Sequence, residues 1–106
     1  MTGDWQQTAA RLHADALRDQ WRPMGVTRIE DESDGIRSFY LEPADGAGLP
    51  AFKAGQHLPL RLSPDGRMAP LIRTYSLSSA PSDGFFRISV KRDGLASAYL
   101  HDQVRV

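Results

Sequence analysis

The chain contains no cysteine. A disulfide framework, a zinc–thiolate site, a protein-ligated iron–sulfur cluster and a thiol nucleophile are therefore outside its repertoire. Long apolar runs are missing too: no stretch approaches the roughly 18 residues that a membrane-spanning helix needs. Neither sign of charge is in excess, with 13 Lys+Arg against 13 Asp+Glu in 106 residues. That balance argues against a dedicated nucleic-acid binder. The opening Met1-Thr2-Gly3-Asp4-Trp5 is polar and acidic, unlike a secretory signal, so a cytoplasmic location is expected. Sequence repeats and low-complexity segments are also absent. What remains is an ordinary globular composition, 41% hydrophobic and 25% charged, at a length suited to one small domain.

The neutral total hides an asymmetry. Residues 1–50 carry 5 basic and 9 acidic side chains, a net of −4, whereas residues 51–106 carry 8 basic and 4 acidic, a net of +4. An anionic ligand belongs with the second half. Chance, together with a solvated acidic leader, explains the split as readily until motifs are considered.

Hydrophobic spacing divides the chain at Arg22-Pro23. Trp5, Ala9, Leu12, Ala16 and Leu17 recur at intervals of three and four behind a capping Asp4, which predicts a helix over 4–21. Proline disfavours the helical region for its predecessor, so Arg22-Pro23 should end it. Beyond, the period becomes two. Met24–Asp31 and Ile36–Glu42 read as strands joined by a Ser33-Asp34-Gly35 turn, and 43–50 as a loop. In His57–Ser63, Leu58, Leu60 and Leu62 share one face; Pro59 in that run predicts an edge strand or a bulge. Pro64-Asp65-Gly66 is a turn, Leu71–Ser78 a strand, Pro81–Gly84 a turn and Phe85–Lys91 a strand with Phe86, Ile88 and Val90 inward. Ser97–Gln103 reads as a short helix capped by Ser97.

Five short strands with turn signals predict an all-β domain, an antiparallel barrel or sandwich. Val104-Arg105-Val106 resembles the start of another apolar element. The expectation is thus a helix and linker over 1–22 and a barrel domain over 23–106 that lacks its last strand. The edge so exposed would favour dimerisation or strand exchange.

Two stretches carry chemistry. In Leu71-Ile72-Arg73-Thr74-Tyr75-Ser76, Arg73 and Tyr75 are two apart on a strand and face the same way. A guanidinium fork beside an aromatic ring suits a ligand that carries phosphate next to a flat ring system. The plainer alternative is a strand with one surface Arg and one core Tyr. In Ile88-Ser89-Val90-Lys91-Arg92-Asp93-Gly94-Leu95-Ala96-Ser97, a strand runs through a glycine turn into a helix start. Free backbone N–H groups there, with Lys91 and Arg92 nearby, form an anion site. The plainer alternative is a simple capped helix.

Taken together, Arg-x-Tyr-Ser at 73–76, Ile-Ser-Val-Lys-Arg at 88–92 and Gly-x-x-Ser at 94–97 resemble the FAD-binding domain of the ferredoxin–NADP reductase superfamily. Phe52-x-x-Gly55-Gln56 ahead of the leucine-alternating strand is similar to the same family. Within it, Trp5, Trp21 and Arg22-Pro23-Met24 resemble the junction in bacterial reductases where a MOSC domain precedes the flavin domain and a ferredoxin domain follows. The resemblance implies a six-stranded Greek-key antiparallel barrel, with an N-terminal helix and one short helix over the phosphate site. It also implies roles. Arg73 would pair with the flavin pyrophosphate. Tyr75 would pack on the ring or ribityl portion, and Ser76 would hydrogen-bond near flavin N5, as the catalytic contact. Ser89, Val90 and Lys91 would reach the ligand through backbone groups and pocket walls. Gly94, Leu95, Ala96 and Ser97 would give N–H groups, and Ser97 its hydroxyl, to the pyrophosphate.

The implied function is an FAD module of an NAD(P)H-dependent oxidoreductase, with FMN as an alternative flavin. Electrons would leave to an iron–sulfur or haem acceptor elsewhere. The nicotinamide-binding domain of the family has no counterpart in these residues, so NAD(P)H would bind on a domain outside this chain. No metal site is expected. The stretch from Lys91 to Ser97 is shorter than the doubly glycine loops common in the family. A reading from another class is a barrel used as an interaction module that binds no flavin. Other residues carry less. His13 and His57 stand isolated, and His101-Asp102 are helix neighbours on different faces, which disfavours a dyad. Asp31, Glu32 and Asp34 read as a solvated acidic turn, and Ser78-Ser79 lacks the context of a nucleophile.

Overall fold

A computed structural model describes residues 12–17, 20–46, 49, 52–63 and 70–106. The Trp5 and Ala9 positions of the expected helix and the Pro64-Asp65-Gly66 turn lie outside them. Six strands form one sheet: β1 (Leu12–Leu17), β2 (Gln20–Asp31), β3 (Ile36–Pro43), β4 (His57–Leu62), β5 (Leu71–Ser76) and β6 (Phe86–Lys91). Their order is β5-β4-β1-β2-β3-β6, and every pairing is antiparallel. Strands β1 to β3 form a meander, and β4 returns to pair with β1, which is a Greek key. One helix, α1 (Leu95–Gln103), follows β6.

The expected N-terminal helix is not formed where residues are described. Leu12–Leu17 is a strand between β2 and β4, and Trp21 and Arg22-Pro23 lie inside β2. The run Leu-His-Ala-Asp-Ala-Leu satisfies period two as well as period three to four, and the tertiary partners decide between them. Leu12 and Ala14 are fully buried, while the backbone of β1 fills the ladder between two strands that would otherwise present open edges. The boundary at 22/23 therefore falls inside the barrel.

With β1 the described residues supply six strands. The end strands β5 and β6 meet at an antiparallel Leu77–Ile88 bridge. Ser78 N donates to Arg87 O at 2.8 Å, and Arg87 N donates to Ser79 Oγ at 3.0 Å. The two end strands thus meet at that junction, and β5 and β6 share no ladder beyond it.

Local chemistry explains the rest. Asp34 (φ 51°) and Gly35 (φ 77°) form the left-handed pair of a two-residue hairpin, closed by Ile36 N to Ser33 O at 2.8 Å. In β2 the register shifts between Val26 and Arg28, so Met24 and Val26 face the core before the bulge and Ile29 packs against it after. Leu58, Leu60 and Leu62 are fully buried, as their alternation predicts. Pro59 sits in an interior strand, but β1 pairs only with Leu60 to Leu62; the proline falls where β4 has β5 alone beside it. Phe52 enters the core with its ring edge-on to Phe86 at 5.0 Å. Gly55 N donates to Leu77 O, and Leu77 N to Gln56 O, each at 2.8 Å, which ties the 52–56 loop to the barrel seam.

Helix α1 begins two residues before the sequence suggests. Gly94 is its cap position and Ser97 lies within the first turn. Arg37 Nη1 donates to the His101 carbonyl at 2.8 Å, and the His101 ring Nε2–H donates to Val90 O at 2.7 Å, so the helix is fastened to β3 and β6.

Candidate functional site

Past the Leu77–Ile88 bridge the recorded pairing between β5 and β6 stops, and the strands leave a wedge. Leu71, Arg73, Tyr75 and Leu77 share one side of the β5 backbone. The outer two of these are buried, while Arg73 and Tyr75 open into the wedge. The start of α1 closes its far side. The result is a groove of about 320 Å³ lined by Arg73, Thr74, Tyr75, Lys91, Asp93 and the run Gly94 to Ser97.

The groove is predominantly a cationic site. Arg73 is exposed and its Nη1 donates only to the carbonyl of Ile72, at 2.8 Å; among the described residues it makes no ion pair. Lys91 faces it across the wedge. The N–H groups of Leu95, Ala96 and Ser97 belong to the first turn, where no intrahelical acceptor exists. Tyr75 is half-buried; burial holds its phenol above the usual range, while Arg73 opposes the rise and Asp93 adds to it. The phenol is therefore a neutral donor near neutral pH. Ser97 is buried, and its hydroxyl is engaged locally. It accepts from Asp93 N at 2.8 Å and donates toward Gly94 O at 3.1 Å or Asp93 Oδ1 at 3.3 Å.

Seven of the ten residues singled out from sequence line this groove: Arg73, Tyr75, Lys91, Gly94, Leu95, Ala96 and Ser97. Three do not. Ser76 points to the opposite side of β5, its hydroxyl 3.4 Å from His57 Nδ1. Ser89 also faces away, 3.0 Å from the Ser38 hydroxyl, and Val90 is buried in the core with its carbonyl taken by His101. Alternation puts Ser89 and Lys91 on one face of β6 and Val90 on the other, and of the two outward residues only Lys91, at the end of the strand, reaches the groove.

Sequence reasoning missed Thr74 and Asp93 as lining residues. A carboxylate beside Gly94 is visible in the sequence, but its place across from Tyr75 depends on the wedge. His57, isolated in the sequence, is set opposite Ser76 by the β4–β5 register. The remaining candidates resolve as structural. His101 and Asp102 point apart, to Val90 and to Arg92 at 2.5 Å. Asp31 pairs with Arg37 at 2.6 Å and Glu32 with Arg87 at 2.9 Å. Among the described residues no cluster of His, Cys, Asp or Glu could hold a metal ion, and no helix is long and apolar enough to cross a membrane.

No family model matches the chain. Curated relatives do. It is 45% identical over 105 residues to a flavohemoprotein of Burkholderia sp. (strain TH2), covering 97% of this chain and 23% of that protein. It is 48% identical over 98 residues to a flavohemoprotein of Pseudomonas aeruginosa, covering 91% and 24%. Against a flavohemoprotein of Bacillus subtilis (strain 168) it is 45% identical over 84 residues, covering 78% and 21%. The chain therefore spans under a quarter of the length of these relatives. Among solved structures it resembles the flavohem-like FAD/NAD-binding domain of nitric oxide dioxygenase from Vibrio cholerae O1 biovar El Tor. That match has a TM-score of 0.69 and 36% identity, covering 78% of this chain and 38% of that one. The relatives named here are flavohemoproteins, so the narrower likeness to MOSC-containing reductases gains nothing from them.

Proposed function

We propose that this chain is an FAD-binding barrel domain of the ferredoxin–NADP reductase superfamily, as its likeness to flavohemoproteins and to a flavohem-like FAD/NAD-binding domain supports, and that its groove holds the pyrophosphate of FAD. The observation that carries the reading is Arg73: an exposed guanidinium without a carboxylate partner among the described residues, facing Lys91 and a helix start across a groove. At about 320 Å³ the groove is small for a cofactor pocket, and it suits the pyrophosphate and the groups flanking it. When bound, the flavin supplies hydride acceptance and one-electron release.

This chain's residues bind and orient. Arg73 offers paired donors to one phosphate. Lys91 and the N–H groups of Leu95, Ala96 and Ser97 meet the other. Tyr75 presents a ring face and keeps its phenolic proton for a hydrogen bond to the ribityl chain. Ser76, whose hydroxyl lies 3.4 Å from His57 Nδ1 on the other side of β5, would serve the flavin as a hydrogen-bonding group near N5. Val90 and Ser89 brace the groove from behind. The nicotinamide donor and the electron acceptor sit on other domains. Flavohemoprotein relatives favour haem over an iron–sulfur cluster as that acceptor.

The test is flavin titration of the 106-residue chain. FAD should bind with quenched fluorescence, and Arg73→Ala should weaken binding by about 1.5–3 kcal/mol, the range for a charge-assisted hydrogen bond. Equal affinity in the variant would remove Arg73 from the site. A chain that takes up neither FAD nor FMN would favour the interaction-module reading instead.

A further inference from the structure

The groove contains one group of the wrong sign for its ligand. Asp93 lines it together with Arg73 and Lys91, yet among the described residues it forms no ion pair with either. Its charge is felt at the centre of the groove, because it acts on the Tyr75 phenol in opposition to Arg73. Its backbone and carboxylate also occupy Ser97, through the 2.8 Å bond from Asp93 N and the contact of Oδ1 at 3.3 Å. The same hydroxyl is the only side-chain donor that the first turn of α1 brings to the groove.

We propose that Asp93 is a built-in restraint on flavin-phosphate affinity, acting by its negative charge and by holding the Ser97 hydroxyl away from the ligand. The inference rests on the FAD reading above. Its physical basis is simple. The lining side chains sum to one net positive charge, since Asp93 cancels one of the two cations. A flavin phosphate must enter beside a fixed carboxylate, and it must compete for a hydroxyl that already has acceptors. Both effects act on the phosphate and neither on the ring. Asp93 therefore sets how tightly phosphorylated flavins are held, without altering recognition of the isoalloxazine.

The experiment compares the whole chain with its Asp93→Asn variant, using FAD, FMN and riboflavin as ligands, in EDTA so that no divalent cation bridges the two anions. Asp93→Ser serves as a second charge-free variant should Asp93→Asn fold poorly. Removing the charge should tighten FAD and FMN by about threefold to tenfold, the scale of one charge–charge contact partly screened by water. The gain should shrink as salt is raised. Riboflavin, which has no phosphate, should bind both forms alike. If the wild type binds FAD and the variants bind it no more tightly, the restraint is refuted while the FAD reading stands. An equal gain for riboflavin also refutes it. If neither form takes up FAD, the functional reading fails and the restraint falls with it.

Discussion

Ser38 shows how a single polar residue is accommodated in an apolar strand. It is fully buried, yet its hydroxyl donates to Glu32 at 2.8 Å and lies 3.0 Å from the Ser89 hydroxyl. Arg87 reaches the same carboxylate at 2.9 Å while its guanidinium lies 5.6 Å from the Tyr40 ring centre. The Ser38 hydrogen bond, then the one from Arg87, holds the Glu32 carboxyl below the ordinary glutamate range. A depressed folded-state value means stabilisation that is complete above the unfolded-state value and disappears as pH falls through the folded one. Urea unfolding across pH should therefore show a wild-type advantage over Glu32→Gln that is constant near neutrality and shrinks in acid. Parallel curves for the two proteins would mean that the carboxylate contributes nothing through its charge.

At the scale of elements, turns and bulges set which faces meet. The β2–β3 hairpin depends on two consecutive left-handed residues, Asp34 and Gly35, and this pairing fixes Ile29 opposite Phe39. A Cβ at Gly35 would meet nothing within 4 Å, so any penalty there is conformational rather than steric. Gly35→Ala should cost about 1–2 kcal/mol for that reason, measurable by chemical denaturation with the fold retained; a neutral substitution would show that the turn relaxes without loss. Helix α1 makes a related point. Serine near a helix start suggests a cap, but the glycine ahead of it takes that place. Ser97 instead bonds back to Asp93 and Gly94. The chain thus exposes first-turn N–H groups to the groove, while the serine that might have met them is engaged.

At the scale of the molecule, the barrel is completed by the segment that sequence periodicity assigned to a helix. Leu12 is buried against the core at 1% exposure, and β1 joins the β4–β5 pair to the β2–β3–β6 group. Leu12→Ala should therefore destabilise the chain by about 2–5 kcal/mol, read as a lower denaturation midpoint. A leader or linker residue would give a change near zero, and that result would remove β1 from the cooperative core. Incomplete pairing of the end strands matters as much. Had β5 and β6 paired along their whole length, no gap would separate the Arg73–Tyr75 stretch from Lys91. Closure at Leu77–Ile88 alone leaves the wedge that becomes the groove.

Local sequence was enough to determine the alternating strands, the Asp34-Gly35 turn, the inward leucines of β4 and most of the groove's chemistry. Each of these follows from side-chain parity or from backbone conformations that few residues accept. Arg73 and Tyr75 face the same way because a strand has period two, whatever surrounds it. The tertiary structure decided what sequence left degenerate. Leu12 to Leu17 fits two periods, and only the open ladders of β2 and β4 select the strand. The register shift in β2, the pairing of His57 with Ser76 and the meeting of Asp93 with Tyr75 depend on contacts between residues distant in the chain. Long-range register is a property of the closed barrel, and no local pattern encodes it.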